Sequence, residues 1–171
     1  MSRSTWIAVS TVGALALAAA VTVHLLSTPT YSFTAAPLAG DPACARVGER
    51  YPDRLAGLER SATTTKGAAV WGDGAVVARC GFPRLGATDD ACTQVEGVDW
   101  AWRPSRADDG REVLVTYGRE PSVEVQLTVG EAAPDAVLVG LSPVVRHLAQ
   151  DSECLAPSDV TAPATPPHHT H

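Results

Sequence analysis

Trp6–Leu26, WIAVSTVGALALAAAVTVHLL, contains no Asp, Glu, Lys or Arg, and no other feature restricts the chain so strongly. Coiled as a helix, a run of this size reaches roughly 31 Å, against a hydrocarbon core of roughly 30 Å. Residues 1–26 are therefore expected to form a single N-terminal transmembrane anchor. A cleaved signal peptide has a shorter apolar region followed by a small-x-small site. Ala18-Ala19-Ala20 and Thr34-Ala35-Ala36 offer such sites, so secretion after cleavage is the alternative. Arg3 precedes the run and Arg46 is the next basic residue after it. The positive-inside rule then keeps the N-terminus in the cytoplasm and puts the C-terminal part outside the cell membrane.

Export gives the cysteines their meaning. Cys44, Cys80, Cys92 and Cys154 all follow the apolar run, with no C-x-x-C pair among them. In an oxidising compartment an even set of this kind predicts two disulfides. Three connectivities exist, and the expected one is Cys80–Cys92 with Cys44–Cys154, a local loop plus a tie between the two ends of the domain. A metal site would need thiolates or imidazoles at close spacing, which the sequence lacks. No cofactor is expected.

Around the second of these cysteines lies Gly67–Pro83, GAAVWGDGAVVARCGFP. Two short apolar runs flank Gly72-Asp73-Gly74, a strong turn signal because both glycines reach positive φ freely. A pair of strands joined by a tight corner is expected at the centre of the domain. Ser27–Gly40 reads as an extended linker, and the domain as residues 41–155. Asp41-Pro42 opens a helix by capping free amides, Cys44, Val47 and Tyr51 follow at helical spacing, and Pro52 ends it. A second turn carrying Leu55 and Leu58 is expected next.

Farther along, Thr93–Trp102 predicts one strand with a bulge at Gly97. Glu112–Tyr117 and Ser122–Val129 predict two more, joined through Gly118–Pro121. The second alternates cleanly, with Val123, Val125, Leu127 and Val129 on one face and Glu124, Gln126 and Thr128 on the other. Arg79, Arg119 and Glu124 are expected to form a cross-strand charged cluster. In Pro134–Gln150 the apolar residues keep helical spacing but Pro143 interrupts them, so the expectation is a helix over 143–149 capped by Ser142, preceded by a strand or a helical turn. Residues 156–171, with four prolines and the ending His168-His169-Thr170-His171, read as a disordered tail rather than a metal site. The sum is an α+β fold, a small antiparallel sheet with one or two packed helices and two disulfides.

Taken together, the membrane run, the cysteine-bearing helix leading to Leu55–Arg60, Gly67–Pro83, Gly97–Trp100 (GVDW), Thr116–Val125 (TYGREPSVEV) and the late cysteine resemble the DUF3515 family. The likeness covers roughly Asp41–Cys154 and is most specific from Trp71 to Pro83; the linker and tail read as peculiar to this chain. It implies an actinobacterial envelope protein and carries no established activity.

Composition excludes some functions. A net charge of −6 with no basic stripe argues against nucleic acid, whose phosphates need clustered Lys and Arg. Nucleophilic catalysis needs a base beside a nucleophile, and residues 41–155 offer only His147 and Lys66 of those types. No catalytic residue is assigned, and a non-enzymatic binding or accessory module is expected, with an envelope protein or a cell-wall component as partner. The surface considered for that binding comprises Trp71, Asp73, Asp99, Trp100 and Trp102, because Trp100 and Trp102 share a strand face and aromatic faces stack on sugars. The alternative is an envelope hydrolase or lyase in which Asp73 and Asp99 meet across neighbouring strands as acid and base.

Overall fold

The computed structural model describes residues 29–104 and 110–155; Trp6–Leu26 and the histidine-ended tail lie outside the described residues. The chain divides into two units, Met1–Thr30 and Tyr31–His171, and the core described below belongs to the second. No helix among the described residues is long and apolar enough to cross a membrane.

The fold is a mostly-sheet α+β arrangement. In chain order the elements are β1 (Thr30–Tyr31), α1 (Pro42–Arg50), β2 (Arg54–Leu55), β3 (Leu58–Thr63), β4 (Ala68–Trp71), β5 (Val76–Phe82), β6 (Cys92–Val95), β7 (Val98–Trp102), β8 (Arg111–Thr116), β9 (Ser122–Thr128) and α2 (Pro134–Val145). The sheet runs β1-β3-β4-β5-β9-β8-β7-β6, with β2 paired to β3. The strand pairs β2·β3, β3·β4, β4·β5, β5·β9, β6·β7, β7·β8 and β8·β9 are each antiparallel. At the edge, Tyr31 accepts from the Thr64 amide and Phe33 then meets Thr65, so β1 runs along β3 and the sheet is mixed.

Asp73 shapes the central corner as the glycines suggest. Gly72, Asp73 and Gly74 all take positive φ in a 3-10 turn, at 57°, 52° and 96°, and Trp71 pairs with Val76 across it. Every residue of β4 is buried. The core lies between one face of the sheet and the two helices: Val123, Val125 and Leu127 of β9, Val76 and Ala78 of β5, and Leu114 of β8 meet Val47 of α1 and Val137, Leu141 and Val145 of α2. Alternation in β9 places those three residues correctly, while Val129 falls beyond the strand and is exposed. Asp41 caps α1 by accepting from the Ala43 amide at 2.7 Å, with Pro42 at the first position.

Four expectations are corrected. Leu55 and Leu58 sit on the β2–β3 hairpin rather than on a helical turn, since Ala56 and Gly57 both take positive φ and such a two-residue loop matches the twist of paired strands. Thr93–Trp102 likewise makes two strands, because Glu96 and Gly97, at φ 48° and 73°, turn the chain between Val95 and Val98. Helix α2 runs through Pro143. The Ser142 hydroxyl donates to the Leu138 carbonyl at 2.7 Å, so Ser142 sits inside the helix, bonded back one turn, instead of capping its start.

The fourth correction is the disulfide pairing. Cys44 is bonded to Cys80 and Cys92 to Cys154, with Cα separations of 5.4 and 5.9 Å. Cys80 lies on β5 and Cys92 on β6, and β9, β8 and β7 stand between them. Strands spaced roughly 4.8 Å apart put them roughly 19 Å from one another, far outside disulfide reach. Cys44, on the buried face of α1, stands over β5 instead.

Residues 31–40, read from the sequence as a tether, are laid on the sheet. Ala36 and Ala39 are buried, and the Leu38 amide donates to the Gly81 carbonyl at 2.7 Å. Gly81 marks the register shift between β5 and β9, has φ 116°, and a Cβ there would stand 2.3 Å from the Ala39 nitrogen. Gly81→Ala is expected to cost about 2 kcal/mol through strain and lost contact, read from the urea midpoint. Faster amide exchange at Leu38 would locate the damage; an unchanged midpoint would show that this crossing is not tight.

Candidate functional site

Building upward from the β8–β9 connection, Gly118 has φ 67°, and a Cβ on it would lie 1.8 Å from the Ser152 carbonyl oxygen. The chain after α2 crosses that turn closely. Asp151 donates its amide to Gly118 at 2.9 Å, and Arg119 and Gln150 form a bridge. Arg119 is 3 % exposed. Its guanidinium donates to the carbonyls of Arg146 (3.1 Å) and Leu148, which follow α2, and to Gln150 Oε1 at 2.6 Å. The other end of the Gln150 amide donates to Asp99 Oδ2 at 2.8 Å, while Gln94 donates to Asp99 Oδ1 at 3.2 Å. Burial lowers the Arg119 pKa, and the Asp99 carboxylate opposes that. Gln150 thus links a buried cation to a buried anion, and the network fastens the end of α2 and the C-terminal segment to β7.

The proposed surface residues are dispersed. Trp71 is fully buried, donates its indole N–H to the Pro52 carbonyl at 2.9 Å, and meets the Tyr51 ring edge-on at 5.6 Å between centroids. Burial raises the Tyr51 phenol pKa, with Arg60 pulling the other way. Trp100 is fully buried and donates to the Ser142 hydroxyl at 3.1 Å. Trp102 alone of the three is open to solvent, at 42 %. Two tryptophans are therefore core residues, and they make no sugar platform with Trp102.

Asp73 and Asp99 do not form a pair. Asp73 is exposed in the β4–β5 corner, with the Ser61 hydroxyl 3.5 Å away. Asp99 is buried on β7, separated from β5 by β9 and β8. An acid and base acting on one bond need to flank it at a separation of roughly 5–10 Å, and the interposed strands prevent that. Of the charged cluster expected from Arg79, Arg119 and Glu124, Arg79 and Glu124 face one another and form an ion pair. The Arg79 guanidinium also lies 5.0 Å from the Phe82 ring centroid. Arg119 belongs to the other network. Among the described residues, no group of three or more His, Cys, Asp or Glu is placed to hold a metal ion.

A groove of about 100 Å³ between α1 and α2 was not foreseen from the sequence. Val47, Val144 and Leu148 give it an apolar floor, and Arg46, Arg50 and His147 its rim. Loss of solvation, then the nearby Arg50 and Arg146 guanidiniums, hold the His147 imidazole below its usual pKa. Part of this signal was in the sequence: Arg46 and Arg50 are four apart on a helix, where like charges repel. That His147 returns to the same place depends on how the helices pack.

No curated protein and no solved structure matches the chain. A family model described as a protein of unknown function, DUF3515, matches residues 5–154. The match is wider than the resemblance drawn from residues 41–154, and it takes in both the apolar run and residues 27–40. With most of its length covered by that match, the chain belongs to the DUF3515 family.

Proposed function

We propose that the chain is an extracytoplasmic cell-envelope protein, held at the membrane by Trp6–Leu26, whose folded part is a binding or accessory module rather than an enzyme. The pairing of all four cysteines carries this reading. Structural disulfides persist in oxidising compartments and are rare in the cytosol, and the apolar run supplies the route out. The use made of ionisable groups supports the second half: Asp99 and Arg119 are engaged with carbonyls and amides that hold the fold together. The family resemblance favours an actinobacterial envelope as the setting.

The test uses the full chain in cells stripped of their wall. The protein is expected to pellet with membranes, to resist carbonate extraction, to be cut by external protease, and to take up maleimide only after reduction. Recovery from cytosol with four reactive thiols would overturn the location. Crosslinking in intact cells checks the binding role, which predicts capture of an envelope component and is contradicted by a chain recovered alone.

A further inference from the structure

The described arginines divide sharply by what their side chains touch. Arg54 pairs with Glu59, Arg79 with Glu124, Arg84 with Asp151 and Arg103 with Asp90. Arg60, Arg111 and Arg119 donate to carbonyls. Arg46, Arg50 and Arg146 have no ion pair or side-chain hydrogen bond among the described residues, and all three are exposed. They are also neighbours: Arg46 and Arg50 rim the α1–α2 groove with His147, and Arg50 and Arg146 both act on the His147 imidazole. In a chain of net charge −6, positive charge is gathered here without a counter-charge. Glu49, the other ionisable side chain in this part of α1, lies around the helix beyond Arg46 and away from the groove.

We propose that this groove binds a phosphate group, as a phosphate monoester, a phosphodiester or the free ion. Successive helical turns set Arg46 and Arg50 side by side, with Cβ atoms roughly 6 Å apart, so two guanidinium forks serve one small volume. Forked donors suit phosphate oxygens, and His147 adds a third donor from the turn that follows α2. A planar carboxylate presents two oxygens and occupies one fork. The tetrahedral ion presents more oxygens and more charge, and so answers all three donors. Apolar Val47, Val144 and Leu148 beneath them exclude water from one side and strengthen each contact.

Proton linkage gives the site a signature. Without a ligand, the arginines disfavour the imidazolium form of His147. A bound phosphate offsets that positive charge and accepts a hydrogen bond from the imidazolium, so binding raises the His147 pKa and takes up a proton there. The inference deepens the proposed function by naming the ligand chemistry, and its principal readout does not depend on where the protein resides.

The experiment follows the His147 imidazole resonances of the full chain in maltoside micelles, which carry no phosphate, across pH, with inorganic phosphate or with chloride at equal ionic strength. Phosphate is expected to raise the His147 pKa by about one unit, a tenfold gain in proton affinity. The rise should saturate, and it should vanish in Arg46→Ala/Arg50→Ala, exposed positions whose loss leaves the fold intact by urea midpoint. A second arm adds phosphatidylglycerol to the micelles and omits free phosphate. A rise there identifies a lipid headgroup as the source, and a rise with free phosphate alone identifies a soluble ester or ion. An equal response to chloride, or a phosphate response that survives in the double variant, overturns the site.

Discussion

Replacing Cys44 and Cys80 together by alanine is expected to remove about 4 kcal/mol of stability. The two residues are 36 apart in sequence, and loop-closure entropy for a loop of that size gives about 4 kcal/mol. Both side chains are fully buried, so the loss of sulfur packing adds to the effect rather than offsetting it. Cys92 is exposed and Cys154 partly so, which separates the two bonds kinetically, because exchange requires access of the attacking thiolate. Mild reductant should open Cys92–Cys154 in the native protein, while Cys44–Cys80 waits for global unfolding. Alkylation during reduction, followed by peptide mapping, reads this order, and urea unfolding of the variant reads the energy. Simultaneous reduction of the two bonds would contradict the burial of Cys44 and Cys80, and a peptide joining Cys80 to Cys92 would contradict the strand order.

That order explains how much could be read from the sequence. Signals that act over a few residues were legible: Asp41-Pro42 starts α1, the alternation of Val123, Val125 and Leu127 marks the buried face of β9, and Gly72–Gly74 turns β4 into β5. Insertion of β9 beside β5 was not, because the long connection that brings it there leaves no local pattern. The cysteine pairing follows from that insertion, and so does the distance between Asp73 and Asp99. Glu96-Gly97 was read as a bulge because β6 is short and mainly exposed, which deprives it of the alternation that would mark a separate strand. Asp99 was placed on a binding surface or, in the alternative, in an acid–base pair with Asp73. Its burial needs Gln94 from β6 and Gln150 from beyond α2, partners far apart in the chain. The α1–α2 groove has the same character, half written in the Arg46–Arg50 spacing and half in helix packing.

Arg119→Ala is expected to destabilise the protein by about 3–5 kcal/mol, the range seen when one member of a buried, hydrogen-bonded charge network is removed. The variant would leave the Arg146 and Leu148 carbonyls without their donor and would take the cation away from Gln150, which holds Asp99. Neutral Gln150 cannot replace that charge. Arg119→Lys keeps the charge but loses the fork that reaches carbonyls and amide together, and should cost less, about 2 kcal/mol. Asp99→Asn tests coupling: if anion and cation act as one unit through Gln150, the double variant Arg119→Ala/Asp99→Asn will be less destabilised than the sum of the single changes. Urea unfolding supplies all these values. Amide exchange should show where the loss falls, with Glu120 and Asp151 deprotected while β4 and β5 keep their protection, since their core contacts do not involve the network. Additive single effects would mean that cation and anion act independently, and a cost below about 1 kcal/mol for Arg119→Ala would mean that the close crossing of Gly118 and Ser152 holds the C-terminal segment without help from the buried cation.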